Sequence, residues 1–413
     1  MKQPQLILCA LVLTAMSACA ASAQPGGPPE YRADFEAEFM PEAGFARASL
    51  TISQSDGEME LLDFSAPADR FSDFSGDGEI ARSGKRLVWK VPRKGGRLDY
   101  RVRIDHQRNG VYDARMTSDW AIARLGDLFP AARSSTVDDA LSRSSLLLSG
   151  PAGWRFETRY GSAGKRVRVR EKDRRFDRPT GWMAAGKLGV RREKINGRQV
   201  TVAAPRGIGV KRLEVLAFLR WNLPALVEVF PHFPESVLIV GAPSEMWRGG
   251  LSGPGSLYLH ADRPMISENA TSPLLHELVH VATAFPPADG DDWIVEGLAE
   301  YYGLEILRRT GTISGQRFED ALSWLADWSD RNEGHLADPS TGANTAEAVC
   351  LFHALNQELK AAGASLDQVV IELFAEPDPN RHRLRGSLRK RLGHPSPILD
   401  SALADAPPGE APQ

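Results

Sequence analysis

The sequence predicts an α+β protein, with an N-terminal β-sandwich followed by a mostly helical domain. Three observations carry this. Residues from 31 to about 205 alternate apolar and polar side chains in short runs broken by Gly, Asp and Pro, as in Leu98-Asp99-Tyr100-Arg101-Val102-Arg103-Ile104. Period-two alternation marks half-buried strands, and many short strands at regular spacing suit two packed sheets. Beyond Pro205 the apolar period lengthens to that of amphipathic helices, with start and stop signals at their ends. The 413 residues, 42% hydrophobic and 25% charged, suffice for one large or two ordinary globular domains.

Taken in order, Lys2 precedes an apolar run from Leu6 to Ala18, and Ala21-Ser22-Ala23 follows as a small-residue cleavage pattern. That run is too short to span a bilayer, so residues 1–23 are expected to be a removed export signal. Met16-Ser17-Ala18-Cys19 is the rival, a lipobox in which Cys19 is lipidated, and the only feature that implies a membrane partner. Either route predicts an exported protein, periplasmic or secreted. Cys350 is then the one cysteine outside the signal, so no internal disulfide is expected, and its apolar setting marks it as a small core residue. A net charge of −3, without a basic stripe interleaved with aromatics, argues against nucleic acid. The Arg-rich run from Lys165 to Arg178 is expected to be a solvated strand-and-turn surface.

Strands are expected at Ala48–Ser53, Arg86–Val91, Arg97–Ile104, Trp154–Tyr160 and Arg166–Arg170, within an N-terminal domain of residues 24–205. In the second domain, residues 206–405, the pattern predicts helices at Val210–Trp221 and Leu223–Phe230 and strands at Ser236–Val240 and Ser256–His260. Next comes a helix capped by Ser272 with Pro273 in its first turn. Another is capped by Asp291 or Asp292 and ends near Gly311, with Arg308 and Arg309 in its last turn. Further helices are expected at Phe318–Trp328, Thr345–Ala362 and Leu366–Phe374, before a Pro-rich tail at 406–413.

The capped helix carries His276-Glu277-Leu278-Val279-His280, an HExxH segment. Four residues of helix turn about 400°, so both imidazoles leave one face about a turn apart and can share one ion. Glu277 flanks that face and is placed to act as a general base on a metal-activated water. Fifteen residues lie between His280 and Glu296, the expected third ligand, on the next helix in Trp293-Ile294-Val295-Glu296-Gly297-Leu298-Ala299-Glu300-Tyr301. A His₂Glu set leaves a fourth position open, as a catalytic zinc site requires, so one Zn²⁺ per chain is expected. Glu300, one turn beyond Glu296, is expected to orient a ligating imidazole.

HExxH followed by W-x-x-E-G-x-x-E-Y resembles the gluzincin metallopeptidases, above all the glycyl aminopeptidase family and its alanyl-aminopeptidase-like neighbours. The resemblance implies a thermolysin-like zinc-peptidase domain, Glu296 as third ligand, and a peptide or protein substrate. In those families a Glu in a Gly-rich edge segment grips the substrate's free amine. Gly249-Gly250-Leu251-Ser252 is the matching segment here, with Ser252 where the Glu belongs. Gly250, Leu251 and Ser252 are therefore candidates for pairing with an extended peptide. The families also use a downstream Tyr at the oxyanion, and no Tyr follows Tyr302; His353 is the candidate substitute, with His335 as another available imidazole. The altered edge segment turns the expectation from aminopeptidase towards peptide or endopeptidase action. A zinc-binding but idle scaffold and a zinc hydrolase of non-peptide amides or esters stay open.

Overall fold

The computed structural model describes residues 28–171 and 175–404. The expected signal, Cys9, Cys19 and the tail from 406 lie outside the described residues. Period-two patterning forms the strands where expected. In Gly95–Arg103, Leu98, Tyr100 and Val102 point into the core while Arg101 and Arg103 point out. Among the described residues, the β-rich part is three sheets around one apolar core that includes Phe35, Leu50, Leu62, Trp89, Phe129 and Met183. One sheet is organised on Glu30–Met40, which pairs antiparallel with Phe45–Ser53 and parallel with Leu141–Ser149. In the Arg-rich run, Arg166 pairs with Asp34 at 3.3 Å and Arg178 donates to the Phe129 carbonyl at 2.9 Å.

Trp182–Gly186 shows how this part joins the rest. Its five residues are all buried because both faces of the strand are covered. Met183 and Ala185 enter the N-terminal core, while Trp182 and Ala184 meet Leu238, Val240 and Tyr258 of a further sheet. That sheet runs in the order Leu188–Ile195, Arg198–Pro205, Ser236–Ala242, Ser256–His260, Gly250–Gly253. Its central strand alternates in turn, Leu238 and Val240 facing the β-rich part, Val237 and Ile239 facing the helices. Two covered faces explain why Ser236–Ala242 reads as a continuous apolar run. Strands on both sides of the expected boundary at residue 205 belong to this sheet. Among the described residues, Gly250–Gly253 is its edge, paired only with Ser256–His260, with Gly250 opposite Leu259 and Ser252 opposite Leu257.

Helices cover the other face. Two were expected between 210 and 230, but one continuous helix, Arg212–Val229, holds both Asn222 and Pro224. Asn222 is buried, yet its amide donates to the Phe218 carbonyl at 2.9 Å and its oxygen accepts the hydroxyls of Thr310 and Thr312 at 2.8 and 3.1 Å. A satisfied Asn lets the apolar stripe of Leu219, Leu223 and Leu226 carry the helix past the proline. Then come Pro273–Thr283, Asp292–Arg309, Gly315–Arg331, Ala343–Ala361, Leu366–Leu373, Arg381–Leu392 and Pro397–Ala404. Cys350, on Ala343–Ala361, is half-buried, and burial pushes its thiol up to about 11.

Asp292–Arg309 and Ala343–Ala361 approach closely at Gly297. A Cβ there would sit 2.5 Å from the Ala348 Cβ and 3.0 Å from the Phe352 ring. Alanine has the better helix propensity, but the two helices would have to part to admit it. Gly297→Ala is expected to destabilise the fold by about 1–3 kcal/mol, the usual range for overpacking. A urea titration checks this; an unchanged midpoint would mean that this helix pair yields freely.

Candidate metal centre

Two consecutive helices and the sheet edge build the site. Ser272 caps the first helix by accepting the Leu275 N–H at 3.3 Å, and Pro273 occupies the first turn, where no N–H is needed. Leu274, Leu275, Leu278 and Val279 anchor it in the core. That leaves His276 and His280 on the remaining face, their ring centroids 4.8 Å apart. The link Ala284–Asp291 reverses the chain, beginning with Ala284 in the left-handed region at φ 60°. The second helix therefore returns with Glu296 facing both imidazoles.

His276 Nε2 and His280 Nε2 lie 3.1 Å apart, and the Glu296 carboxylate is 3.4 Å from each. Atoms held about 2.0–2.1 Å from a zinc ion at tetrahedral angles are about 3.3–3.4 Å from one another. The two imidazole nitrogens are near that spacing, and Glu296 turns a different oxygen to each, Oε2 to His276 and Oε1 to His280; the donor set of two imidazoles and one carboxylate suits that ion. Glu300 lies one turn on, its Oε2 accepting from His276 Nδ1 at 2.9 Å. Placing the proton on Nδ1 leaves the Nε2 lone pair directed at the centre.

Electrostatics favour a cation here. Burial alone would push the His276 imidazole down, but Glu296 and Glu300 carry it well above its ordinary value. Burial pushes Glu296 up, yet its hydrogen bonds with the two imidazoles hold it well below the usual carboxylate range. Glu277 is buried and makes none of those close contacts. Burial raises its carboxyl above the ordinary range, opposed by the two histidines and by a hydrogen bond from the Ser252 backbone.

The edge segment presses on Glu277. A Cβ on Gly250 would come within 2.7 Å of Glu277 Cγ and Oε1, so only glycine fits. Ser252 offers its backbone to the same carboxylate, while Leu251 points the other way, onto the cluster around Trp182 and Tyr258. His353 is not brought to this group. It is half-buried against Tyr301 and Phe318, at 6.4 and 5.9 Å between ring centroids. That is the face of the second helix carrying Gly297 and Tyr301, about 100° from the one carrying Glu296 and Glu300. His335 is exposed, its N–H bonded to the Asn344 side chain at 3.0 Å. Tyr301 and Tyr302 are packing residues, their hydroxyls engaged by Asn356 and Asp367 at 2.8 Å each.

The start of the second helix differs from expectation. Neither Asp291 nor Asp292 caps it. Asp291 is taken by Arg381, and the N–H of Asp292 is accepted by Asp338 at 2.9 Å. Burial raises the Asp292 carboxyl, with Glu296 and Asp338 adding to the shift. Asp338 sits in a loop with no motif around it, and nothing local in the sequence identifies it.

No family model and no curated protein matches the chain. Solved structures do. An aminopeptidase N family protein from Idiomarina loihiensis aligns over 92% of this chain and 74% of its own, with a TM-score of 0.60 and 14% identity. Native leukotriene A4 hydrolase from Saccharomyces cerevisiae aligns over 94% of this chain and 69% of its own, with a TM-score of 0.57 and 13% identity. At these identities the likeness is one of fold, and it meets the resemblance read from the HExxH segment: the chain has the architecture of the aminopeptidase N family protein and leukotriene A4 hydrolase, β-rich first and helical after.

Proposed function

We propose that the chain is an exported, zinc-dependent metallopeptidase, with a β-rich N-terminal part and a thermolysin-like catalytic part that includes the sheet strands from Leu188 onward. The observation that carries this is the convergence of His276, His280 and Glu296 to separations that fit one zinc ion, beside a buried carboxylate. A bound zinc ion supplies Lewis acidity, polarising a carbonyl and making water acidic enough to lose a proton near neutral pH. Glu277 takes that proton on its carboxylate and returns it to the leaving amine nitrogen. Glu300 holds the proton on His276 Nδ1 and so fixes the tautomer.

The edge strand Gly250–Gly253, apart from the Ser252 backbone held by Glu277, offers backbone groups for an extended peptide to pair as an added strand. Ser252 supplies no counter-charge for an ammonium group, which supports cleavage within peptides over removal of N-terminal residues. Digestion of a peptide library by zinc-loaded and chelator-stripped protein tests this reading. Zinc-dependent internal cuts are expected; zinc binding without turnover on any peptide would point to an idle scaffold instead, and turnover confined to esters to a different hydrolase.

Gly250→Ala is a sharper test of the edge. Its Cβ would displace the Glu277 carboxylate, and a shift of about 1 Å in a reacting group can cost on the order of a hundredfold in rate. A loss of that size in kcat, with zinc content unchanged, is expected; full activity would mean that Glu277 works from another position.

A further inference from the structure

The helix carrying Glu296 begins in an unusual way. The first-turn N–H groups of any helix have no partner within it, and a side chain at the cap position normally accepts one. Asp291 holds that position but makes no such bond, because its carboxylate receives the backbone N–H and the Nε of Arg381 at 2.8 and 2.5 Å. Asp338 takes its place from the loop between Gly315–Arg331 and Ala343–Ala361. Its two oxygens accept the N–H groups of Gly290 and Asp292 at 2.7 and 2.9 Å. Asp292 answers by accepting the N–H of Ser340, from the same loop, at 2.9 Å. Each segment thus places a carboxylate on the backbone of the other.

This clasp sits one turn before Glu296, about 6 Å along the helix axis. Ionised acceptors on backbone N–H groups make strong hydrogen bonds, and a negative charge at a helix N-terminus is further favoured by the helix dipole. Of the two N–H groups, that of Asp292 belongs to the first turn, so Asp338 ties the start of the helix to the loop one turn before Glu296. We propose that Asp338 is a positioning residue for Glu296 and thereby sets the affinity of the triad for its metal ion. The proposal rests on the zinc reading above and adds to it a residue that touches neither metal nor substrate.

Asp338→Asn is the test, because an amide can accept one of the two N–H groups but turns its NH₂ towards the other. Zinc affinity is measured by chelator competition, beside the unfolding midpoint of the stripped protein. Affinity is expected to fall at least about tenfold, as for other groups that orient a metal ligand. A lower midpoint with zinc affinity within twofold of wild type would overturn the proposal, leaving Asp338 a purely structural cap. Hydrogen exchange in the unaltered protein gives an answer that needs no variant. Coupling is reciprocal, so zinc should slow exchange of the Gly290 and Asp292 amides; equal exchange with and without zinc would overturn the proposal as well. A wild-type chain that binds no zinc fails the metal reading itself, and is told apart by that.

Discussion

Glu277→Gln is expected to abolish peptide hydrolysis while leaving the protein folded and metal-loaded. Glutamine keeps the shape of the side chain against Gly250 but cannot take up a proton near neutral pH. A general base contributes on the order of 10²–10⁴ in rate, so kcat should fall by about that factor. Zinc content should not change, because the close contacts within the triad do not include Glu277. Stability should not fall either, since burial already disfavours the charge that the substitution removes. Steady-state kinetics with metal analysis on the same sample checks all three points. Retained kcat would remove Glu277 from the mechanism.

His280→Ala is expected to do the opposite, removing the metal and with it all activity. The Glu296 carboxylate is 3.4 Å from each imidazole, so deleting one ring leaves two donors for an ion that is normally held by at least three protein ligands. An ion that binds only the folded state stabilises it by about 2.7 kcal/mol when present at a hundred times its Kd. Wild type should therefore melt higher with zinc than after stripping, and His280→Ala should melt at one temperature in both conditions. A zinc-dependent rise that survives in the variant would place the ion elsewhere.

The parts of this account that were legible in the sequence are those set by local chemistry. Period-two alternation located Gly95–Arg103 within two residues at its start, because that strand buries one face only. Ser272 and Pro273 located the HExxH helix for the same kind of reason: a cap is satisfied within three residues. Contacts between distant segments were not legible. Asn222 and Pro224 read as a break, and the distant hydroxyls of Thr310 and Thr312 satisfy the oxygen of the buried Asn222. Asp291 reads as a helix cap, yet its partner is Arg381, ninety positions away. His353 was a candidate by residue type, but helical phase turns it towards Tyr301 and away from Glu296. The joining of Leu188–Pro205 to strands beyond residue 205 is also a matter of pairing, which composition does not reveal.

The claim on which everything else depends is that His276, His280 and Glu296 hold one zinc ion. Anomalous diffraction at the zinc edge, on crystals of protein purified without added metal, tests it most directly. The account predicts one peak per chain, about 2.0–2.1 Å from His276 Nε2, His280 Nε2 and a Glu296 oxygen, as zinc sites of this donor set require. A fully occupied zinc peak elsewhere, or no peak here after soaking in zinc, would contradict it.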